Sequence, residues 1–266
     1  SMVKRVNKAF MDESSIELRD FLRKDIYTQV AKAFLDPNLA WSRVGPSNKR
    51  SYLQLNIDQK STTGAITIQK SSPPDPSAEK DDVGAEKDDD FGAEKAISSS
   101  SNQKKKGKNK KESKQQDTGD SIKALEDLLT FLKSDKFAEV VSQLTGLTIT
   151  SCALEVRQFD KGHYTLAHDE DPYMKEEGLD VVLCVFAHGV SWKNEYGGTV
   201  HYVDGDEELL TVDPHPNTLS LVYRAEGGTS RFVKYVNSAS PCPRFDVSCT
   251  FEVADDDDDD NEEEDN

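Results

Sequence analysis

Hydrophobic and polar positions alternate through residues 147–253, which is the period expected of half-buried β-strands. The apolar stretches are short, evenly spaced and separated by turn signals such as Asp204-Gly205-Asp206 and Gly227-Gly228. Eight such strands in succession predict a double-sheet jelly roll. The predicted strands are residues 147–159, 164–167, 179–187, 199–203, 209–212, 219–223, 232–236 and 245–253.

A helical period precedes these strands. Between residues 14 and 34 apolar side chains recur at spacings of three, four and seven, which predicts one or two amphipathic helices that end before Pro37. Residues 41–50 are typical of a turn-rich connection, and residues 52–55 favour a strand. Helical patterns return after Asp120-Ser121, a candidate cap, and again at residues 137–144. The sequence therefore predicts an α+β fold, a double-stranded β-helix (jelly roll) with flanking helices.

One long segment has neither period. Residues 71–119 are rich in Ser, Pro, Asp and Lys and contain almost no apolar side chains. Such a segment cannot bury enough surface to offset the entropy of ordering, so we predict a disordered low-complexity linker. Seven lysines between Lys104 and Lys114 leave nuclear import or nucleic-acid binding open. No aromatic residue is interleaved among them, so we favour the linker and do not expect a nucleic-acid partner.

The linker divides the chain into four predicted parts. Residues 1–70 carry N-terminal helices and a connection, and they belong to the same domain as residues 120–253, which hold helices and the double-stranded β-helix. Residues 254–266 form an acidic, disordered tail. Its core, residues 255–265, contains ten of the acidic residues in a chain of net charge −17. A charge run this dense predicts a solvated tail, with docking to a basic partner as the alternative.

Cysteine usage and hydropathy bear on the compartment. The four cysteines include no Cys-x-x-Cys pair, and we expect reduced thiols, as in a nuclear or cytoplasmic protein. No run of 18 apolar residues is present, so no membrane span is expected, and the start lacks the pattern of a signal peptide.

Several motifs are specific in combination. Residues 41–50 read Trp-Ser-Arg-Val-Gly-Pro-Ser-Asn-Lys-Arg, residues 162–169 read Gly-His-Tyr-Thr-Leu-Ala-His-Asp, and residues 195–198 read Glu-Tyr-Gly-Gly. They are followed by Glu-Glu-Leu-Leu-Thr-Val at 207–212, Leu-Val-Tyr-Arg at 221–224 and Phe-Val-Lys at 232–234. In this order they resemble the C-terminal domain of the ribosomal prolyl hydroxylases, two-domain oxygenases that modify a proline of a small-subunit ribosomal protein. The resemblance implies an N-terminal domain that holds iron and 2-oxoglutarate, and a C-terminal domain that repeats the barrel without the metal.

The residues at the expected metal positions agree with a barrel that has lost its iron. A non-haem iron centre needs a His-x-carboxylate pair and a distant histidine. His168 and Glu170 have the local spacing, but the resemblance places Val233 at the third position, where a hydrocarbon cannot coordinate. The cosubstrate-binding arginine would fall on Phe245, and the adjacent Arg244 is expected to face the other way. We therefore interpret His168, Glu170 and Val233 as vestigial metal positions.

Other chemistry-bearing residues give no alternative site. His201 lies in a predicted strand and His215 in a proline-bracketed turn, and neither is expected to face a metal. The chain has no Gly-x-Ser-x-Gly elbow, phosphate-binding loop or His-Glu-x-x-His motif. No catalytic, cofactor-binding or metal residue is therefore expected in this chain. Trp192, Glu195 and Tyr196 are candidates for an interaction surface, although Trp192 is more typical of a core residue.

These observations lead to one function and two alternatives. The first is a non-catalytic pseudo-oxygenase domain that serves a ribosomal-protein prolyl hydroxylase as an interaction or regulatory module. Its expected partners are the catalytic oxygenase domain of the same parent protein and a protein substrate or regulator, with iron and 2-oxoglutarate confined to that catalytic domain. The alternatives are an active iron/2-oxoglutarate-dependent prolyl dioxygenase and a protein that binds basic partners through the acidic tail.

Overall fold

The computed structural model describes residues 2–59, 66–70, 107–167, 177–186, 190–225 and 229–254. Most of the predicted linker and the acidic run from Asp255 lie outside the described residues, as do His168 and Glu170. Within the described part of the chain, no helix is both long and apolar enough to cross a membrane.

The described residues form four α-helices, thirteen strands and a short 3-10 helix at Asn194–Tyr196. The α-helices are α1 Met2–Glu13, α2 Lys24–Ala33, α3 Gly107–Leu132 and α4 Asp135–Thr145. The strands are β1 Ser15–Arg19, β2 Trp41–Val44, β3 Arg50–Leu55, β4 Ile57–Gln59, β5 Ile66–Ile68, β6 Ile149–Phe159, β7 Tyr164–Thr165, β8 Gly178–Val185, β9 Val200–Asp204, β10 Glu207–Val212, β11 Thr218–Arg224, β12 Thr229–Val233 and β13 Arg244–Val253.

Two antiparallel sheets make the barrel. The large sheet runs β1-β11-β8-β13-β6-β3-β2, with β7 added to β3, and the small sheet runs β10-β9-β12. A buried cluster joins the two sheets: Tyr52 and Phe159 from the large sheet pack with Val200, Tyr202 and Val233 from the small one. The predicted α+β fold with a double-stranded β-helix is confirmed. Each of the eight strands predicted from residue 147 onward overlaps an observed strand, but the one predicted at 232–236 lies three residues earlier, at Thr229–Val233.

The helices cover the other face of the large sheet. Along β13, Phe245, Val247, Cys249 and Phe251 belong to the main hydrophobic core, together with Leu125 and Leu129 of α3, Phe137 and Val141 of α4, and Val30 of α2. Because side chains alternate along a strand, the residues between them point into the barrel. One face of β13 therefore holds the helices, and the other faces the interior of the barrel.

The N-terminal region departs from the helical prediction for residues 14–34. Residues Ser15–Arg19 form β1, and only Lys24–Ala33 is helical. Ile16 and Leu18 pair with Leu221 and Leu219 at the edge of the large sheet. Their spacing of two suits a strand as well as a helix, and the hydrogen bonds offered by β11 decide between them.

Two further boundaries differ from the sequence reading. Residues 41–50, which the sequence predicts to be a turn-rich connection, contain β2, which pairs with β3. Helix α3 begins at Gly107, inside the range assigned to the linker, and its buried apolar residues Ile122, Leu125, Leu128, Leu129 and Leu132 all lie in its second half. The side chains that pack this helix are thus the ones from which the sequence predicted it.

Replacing Phe137 by alanine tests the helix-covered core. The ring is 1% exposed and contacts the rings of Phe21, Phe131 and Phe251. Phe137→Ala should lower the free energy of unfolding by about 3–5 kcal/mol in chemical denaturation, since it removes a large buried side chain and leaves a cavity. Val140 lies on the same helix but is 45% exposed, so Val140→Ala should change it by less than about 0.5 kcal/mol. Equal losses in the two variants would contradict this packing.

Candidate functional site

A cavity of about 780 Å³ lies in the barrel between the two sheets, and we call it the barrel cavity. Its walls come from β6, β8, β11 and β13 of the large sheet and from β9 and β12 of the small one. The lining includes Arg157, Arg224, Arg231, Val200, Val233 and Ser248. The resemblance implies that a catalytic copy of this barrel holds iron, so the side chains of the cavity bear on what the chain can do.

One buried carboxylate, that of Asp246, binds two arginines, and one of these, Arg157, lines the cavity. Asp246 accepts hydrogen bonds from Arg157, with Nε–Oδ1 at 2.8 Å and Nη2–Oδ2 at 3.3 Å. Arg244 Nη2 donates to Asp246 Oδ2 at 2.8 Å. Both guanidinium groups also lie over the Phe159 ring, each 5.5 Å from its centroid. We call Arg157, Asp246 and Arg244 the Asp246 triad.

A second carboxylate is held in the same way. Asp180 Oδ2 accepts from Arg224 Nε at 3.0 Å, and Asp180 Oδ1 lies 2.8 Å from Arg231 Nη1. The two arginines come from opposite sheets, Arg224 from β11 and Arg231 from β12. The Thr250 hydroxyl donates to Asp180 Oδ1 at 3.4 Å. We call Arg224, Asp180 and Arg231 the Asp180 triad. Its ion pairs link the small sheet to the large one.

The pairing keeps Asp246 and Arg157 ionised although they are buried. Burial alone would raise the pKa of Asp246, but the charges of Arg157 and Arg244 outweigh it and lower the pKa. Burial would lower the pKa of Arg157, and the charge of Asp246 raises it instead. The side chains of Asp180 and Asp246 are 0% exposed. The ionised form of Asp246 therefore depends on its arginines for the stabilisation that water would otherwise give.

Val233 lies on the wall of the barrel cavity. It is 2% exposed, it pairs with Val200 across β12 and β9, and its backbone N–H donates to Thr165 Oγ1 at 2.7 Å. The side chain is inward like that of Arg231, two residues earlier on the same strand. A hydrocarbon thus faces the cavity at the position where the resemblance expects the third iron ligand. His168 and Glu170, the other two vestigial positions, are outside the described residues.

The strand β13 corrects part of the expectation about the cosubstrate arginine. Phe245 stacks on Phe34 of the helical core, with ring centroids 4.9 Å apart, so it faces away from the cavity. Arg244 is the residue that points into the barrel, where it binds Asp246. The side chains of Arg244 and Phe245 face opposite sides of the sheet, as predicted, but it is Arg244 that faces the barrel.

His201 and His215, the two histidines considered as substitute ligands, lie elsewhere. His201 is on the outer face of the small sheet, where its ring stacks on Phe232 and its Nε2 lies 2.8 Å from Thr199 Oγ1. His215 Nδ1 contacts the carbonyl oxygen of Asp213 in the turn before β11. Neither ring lines the barrel cavity. Across the described residues, no group of three His, Cys, Asp or Glu side chains is placed to hold a metal ion.

The candidate interaction residues occupy the loop before β9. Trp192 is half-buried: its ring stacks on Phe186, with centroids 4.9 Å apart, and its Nε1 donates to Gly197 O at 2.9 Å. Gly197 has φ +70°, and a Cβ there would lie 2.0 Å from the Tyr235 carbonyl oxygen, so only glycine fits. Glu195 is exposed and Tyr196 half-buried, edge-on to Trp192. Trp192 therefore shapes the loop, and Glu195 and Tyr196 are the members that reach its surface.

Sequence reasoning missed the two triads. A signal was present, because Asp180 is a charged residue in the otherwise apolar stretch Gly178–Val185, and Arg244 and Asp246 begin a buried strand. Charges at inward positions of a predicted strand require partners at inward positions of its neighbours. The strand order, which the sequence does not provide, is needed to identify them.

Comparison with solved structures identifies the class of fold. A Pseudomonas putida prolyl-4-hydroxylase superposes with a TM-score of 0.52 at 12% identity, covering 95% of this chain and 99% of that one. A Trichoplax adhaerens prolyl hydroxylase, solved in complex with a hypoxia-inducible-factor oxygen degradation domain peptide fragment, gives 0.51 at 10% identity, with 94% and 89% covered. At these identities the likeness shows the fold alone, which is the jelly roll of the 2-oxoglutarate and iron oxygenases.

Sequence comparison identifies the family. The family model described as "Oxoglutarate and iron-dependent oxygenase degradation C-term" matches residues 1–260, and the chain belongs to this family. Prolyl 3-hydroxylase OGFOD1 of Xenopus laevis is 29% identical over 238 residues, which cover 89% of this chain and 40% of the relative. The mouse protein of the same name is 27% identical over 259 residues, covering 89% and 44%. The chain thus spans less than half the length of either relative.

Substitution of Asp246 tests the buried triads. Asp246→Asn leaves Arg157 and Arg244 without a countercharge and should lower the free energy of unfolding by about 3–5 kcal/mol. Because the folded-state pKa of Asp246 is lowered, its contribution is complete above the unfolded value of about 3.9 and is lost as pH falls through the folded value. The free energy of unfolding of the wild type should therefore fall below about pH 4, and that of the variant should fall less.

The exposed Arg23–Asp25 pair supplies the control. These side chains are 78% and 60% exposed, and surface pairs of this kind contribute little to stability. Asp25→Asn should leave the denaturation midpoint at neutral pH unchanged. An unchanged midpoint in Asp246→Asn as well would contradict the stabilising role of the Asp246 triad.

Proposed function

We propose that this chain is a non-catalytic pseudo-oxygenase domain of a ribosomal-protein prolyl hydroxylase, where it acts as an interaction or regulatory module. The family supports the link to prolyl hydroxylases, and the relatives OGFOD1 are named as prolyl 3-hydroxylases over a length more than twice that of the match. The activity named for those whole proteins can reside outside the matched part. The proposal therefore assigns the chemistry to a separate catalytic domain of the parent protein.

The observation that carries the proposal is the side chain of Val233. It faces the barrel cavity from β12, where the resemblance aligns the third ligand of the iron. Carbon cannot donate an electron pair to Fe²⁺, and a facial triad that lacks one member leaves only two protein ligands. The residues present therefore do not fit an iron centre of this class.

The surroundings of Val233 provide no substitute ligand in the described part of the chain. Thr165 Oγ1 accepts a hydrogen bond from the Val233 amide, and the neighbouring Val200 is another hydrocarbon. Arg157, Arg224 and Arg231 line the cavity, and a guanidinium group does not bind cations. The carboxylates of Glu155, Glu177 and Glu252 line it as well. Among the described residues no three possible ligands are grouped to hold a metal ion, and this supports a role without catalysis.

An interaction role needs a partner surface on the outside of the barrel. The loop with Glu195 and Tyr196 is held rigidly by Trp192 and by the close approach of Gly197 to Tyr235. A rigid loop loses little entropy when it binds. We assign to it the contact with the catalytic domain of the parent, or with its protein substrate or regulator, in the nucleus or cytoplasm.

Turnover by the purified chain tests the missing chemistry. Supplied with Fe²⁺, ascorbate and 2-oxoglutarate, it should convert no more 2-oxoglutarate than a protein-free blank, because Val233 leaves the metal site incomplete. A prolyl hydroxylase with an intact iron site, assayed in parallel, shows that the assay works. His168→Ala should behave as the wild type.

The outcome that contradicts the proposal is turnover that is lost in His168→Ala. That result would establish His168 as a working ligand and make the chain an active dioxygenase. The interaction role is tested by mixing the chain with the separately purified catalytic domain of the parent. Co-elution that Glu195→Lys weakens and Glu17→Lys does not would support the assigned loop.

A further inference from the structure

Strand β1 ends the large sheet on one side, and among the described residues no strand lies beyond it. The backbone N–H of Tyr223 donates to the carbonyl oxygen of Ser14 at 2.9 Å, so these two residues form a hydrogen-bonded pair where the β1–β11 ladder begins. Such pairs alternate along an antiparallel ladder, so the even-numbered residues of β1 direct their backbone groups at β11. The backbone N–H and C=O groups of Ser15, Glu17 and Arg19 therefore point away from the sheet, at its free edge.

The two faces of β1 differ in chemistry. Ile16 and Leu18 pack against the main hydrophobic core, on the face that the helices cover. The side chains of Glu17 and Arg19 project from the opposite face, where they are 31% and 63% exposed and form an ion pair at 3.3 Å. The free edge thus carries one negative and one positive charge, two residues apart on the same face.

This pair of opposite charges distinguishes β1 from the other strands that end the two barrel sheets, which are β2, β10 and β12. Arg43 is the charged residue of β2 and Arg231 that of β12, whereas β10 carries Glu207 and Glu208. A strand with one sign of charge offers its own copy no opposite charge, and charges on an edge normally oppose such pairing. The charges of β1 instead complement a second copy of the same strand.

We propose that β1 pairs antiparallel with β1 of a second copy of this chain, across a two-fold axis at Leu18. In this register Glu17 of one copy lies opposite Arg19 of the other, and the two-fold axis repeats the pair. Both residues direct their backbone groups at the edge, so the two pairs form about four backbone hydrogen bonds. The two large sheets then become one continuous sheet. This surface goes beyond the proposed function and includes no residue of the Glu195 loop.

The charges favour this register over its neighbours. A slip of one copy by two residues places Glu17 opposite Glu17 in one direction, and Arg19 opposite Arg19 in the other, and like charges directly opposite each other are destabilising. In the proposed register every charge has an opposite charge beside it on its own strand and another across the interface. On the helix-covered face the two Leu18 side chains meet at a non-hydrogen-bonded pair, where side chains approach most closely.

The length of β1 limits the strength of the dimer. A strand of five residues buries little surface, so we expect a weak dimer that dissociates in the micromolar range. The net charge of −17 also opposes the approach of two copies, and salt screens this long-range repulsion. Self-association should therefore be measured at physiological ionic strength and over a wide range of protein concentration.

Sedimentation velocity of the full chain, over an about hundredfold range of concentration, tests the dimer. We expect the average mass to rise from that of a monomer towards that of a dimer. Glu17→Lys sets two cations opposite each other in both pairs, and Arg19→Glu sets two carboxylates there, so each variant alone should associate about tenfold more weakly or worse. An equimolar mixture of the two variants restores opposite charges in both pairs and should dimerise, which also shows that both variants fold.

The matched control is Lys123→Glu, which reverses a charge on α3 that is 71% exposed, and it should leave self-association unchanged. Amide hydrogen exchange adds a second readout, since the amides of Glu17 and Arg19 should exchange more slowly as the concentration rises. Glu17→Lys should still co-elute with the catalytic domain of the parent, so the dimer and the assigned loop are tested separately.

Two kinds of result would overturn the dimer. The first is a chain that stays monomeric over the whole range, or self-association that the mixture of Glu17→Lys and Arg19→Glu does not recover. The second is protection of the Glu17 and Arg19 amides that appears only after the catalytic domain is added, because the edge would then bind that domain and not a second copy.

Discussion

Charged side chains inside the barrel impose the constraint on which the rest of the structure depends. Asp180 and Asp246 are removed from water completely, and each carboxyl group is bound by two arginines. Removing one partner from such a group is far more costly than breaking a surface pair. The strands that carry these residues must therefore keep one register, since a slip of one residue would turn every charge into the helical core.

The same strands explain why the two faces of the large sheet differ. On β13 the inward residues Arg244, Asp246, Ser248 and Thr250 are polar, and the outward residues between them are apolar and packed by helices. An oxygenase needs a polar, open cavity between its sheets and a rigid frame around it. This chain has the frame and the cavity, and the cavity is lined by arginines and glutamates, with the hydrocarbon of Val233 at the position where the resemblance expects a metal ligand.

The sequence predicted the parts whose signals are local. The period-two pattern located the strands from residue 147 onward, and the motifs around Glu195-Tyr196-Gly197-Gly198 indicated the barrel. The pattern at β1 predicts a helix because Ile16 and Leu18 fit either period, and only pairing with the edge strand β11 selects the strand. The triads could not be predicted from the sequence, because Asp180 pairs with Arg231 of the opposite sheet and this contact depends on the strand order. The alignment also did not indicate that Arg244 faces the barrel, because it placed the cosubstrate-binding position one residue later, at Phe245.

The central claim is that Val233 leaves the barrel without an iron site. Crystals of the chain soaked in Mn²⁺, a redox-stable substitute for Fe²⁺, and measured for anomalous scattering, test it most directly. The account predicts no anomalous peak in the barrel cavity, even where a peak marks Mn²⁺ on the acidic surface. An octahedral ion held inside the barrel by three protein atoms, with His168 and Glu170 among their residues, would contradict it.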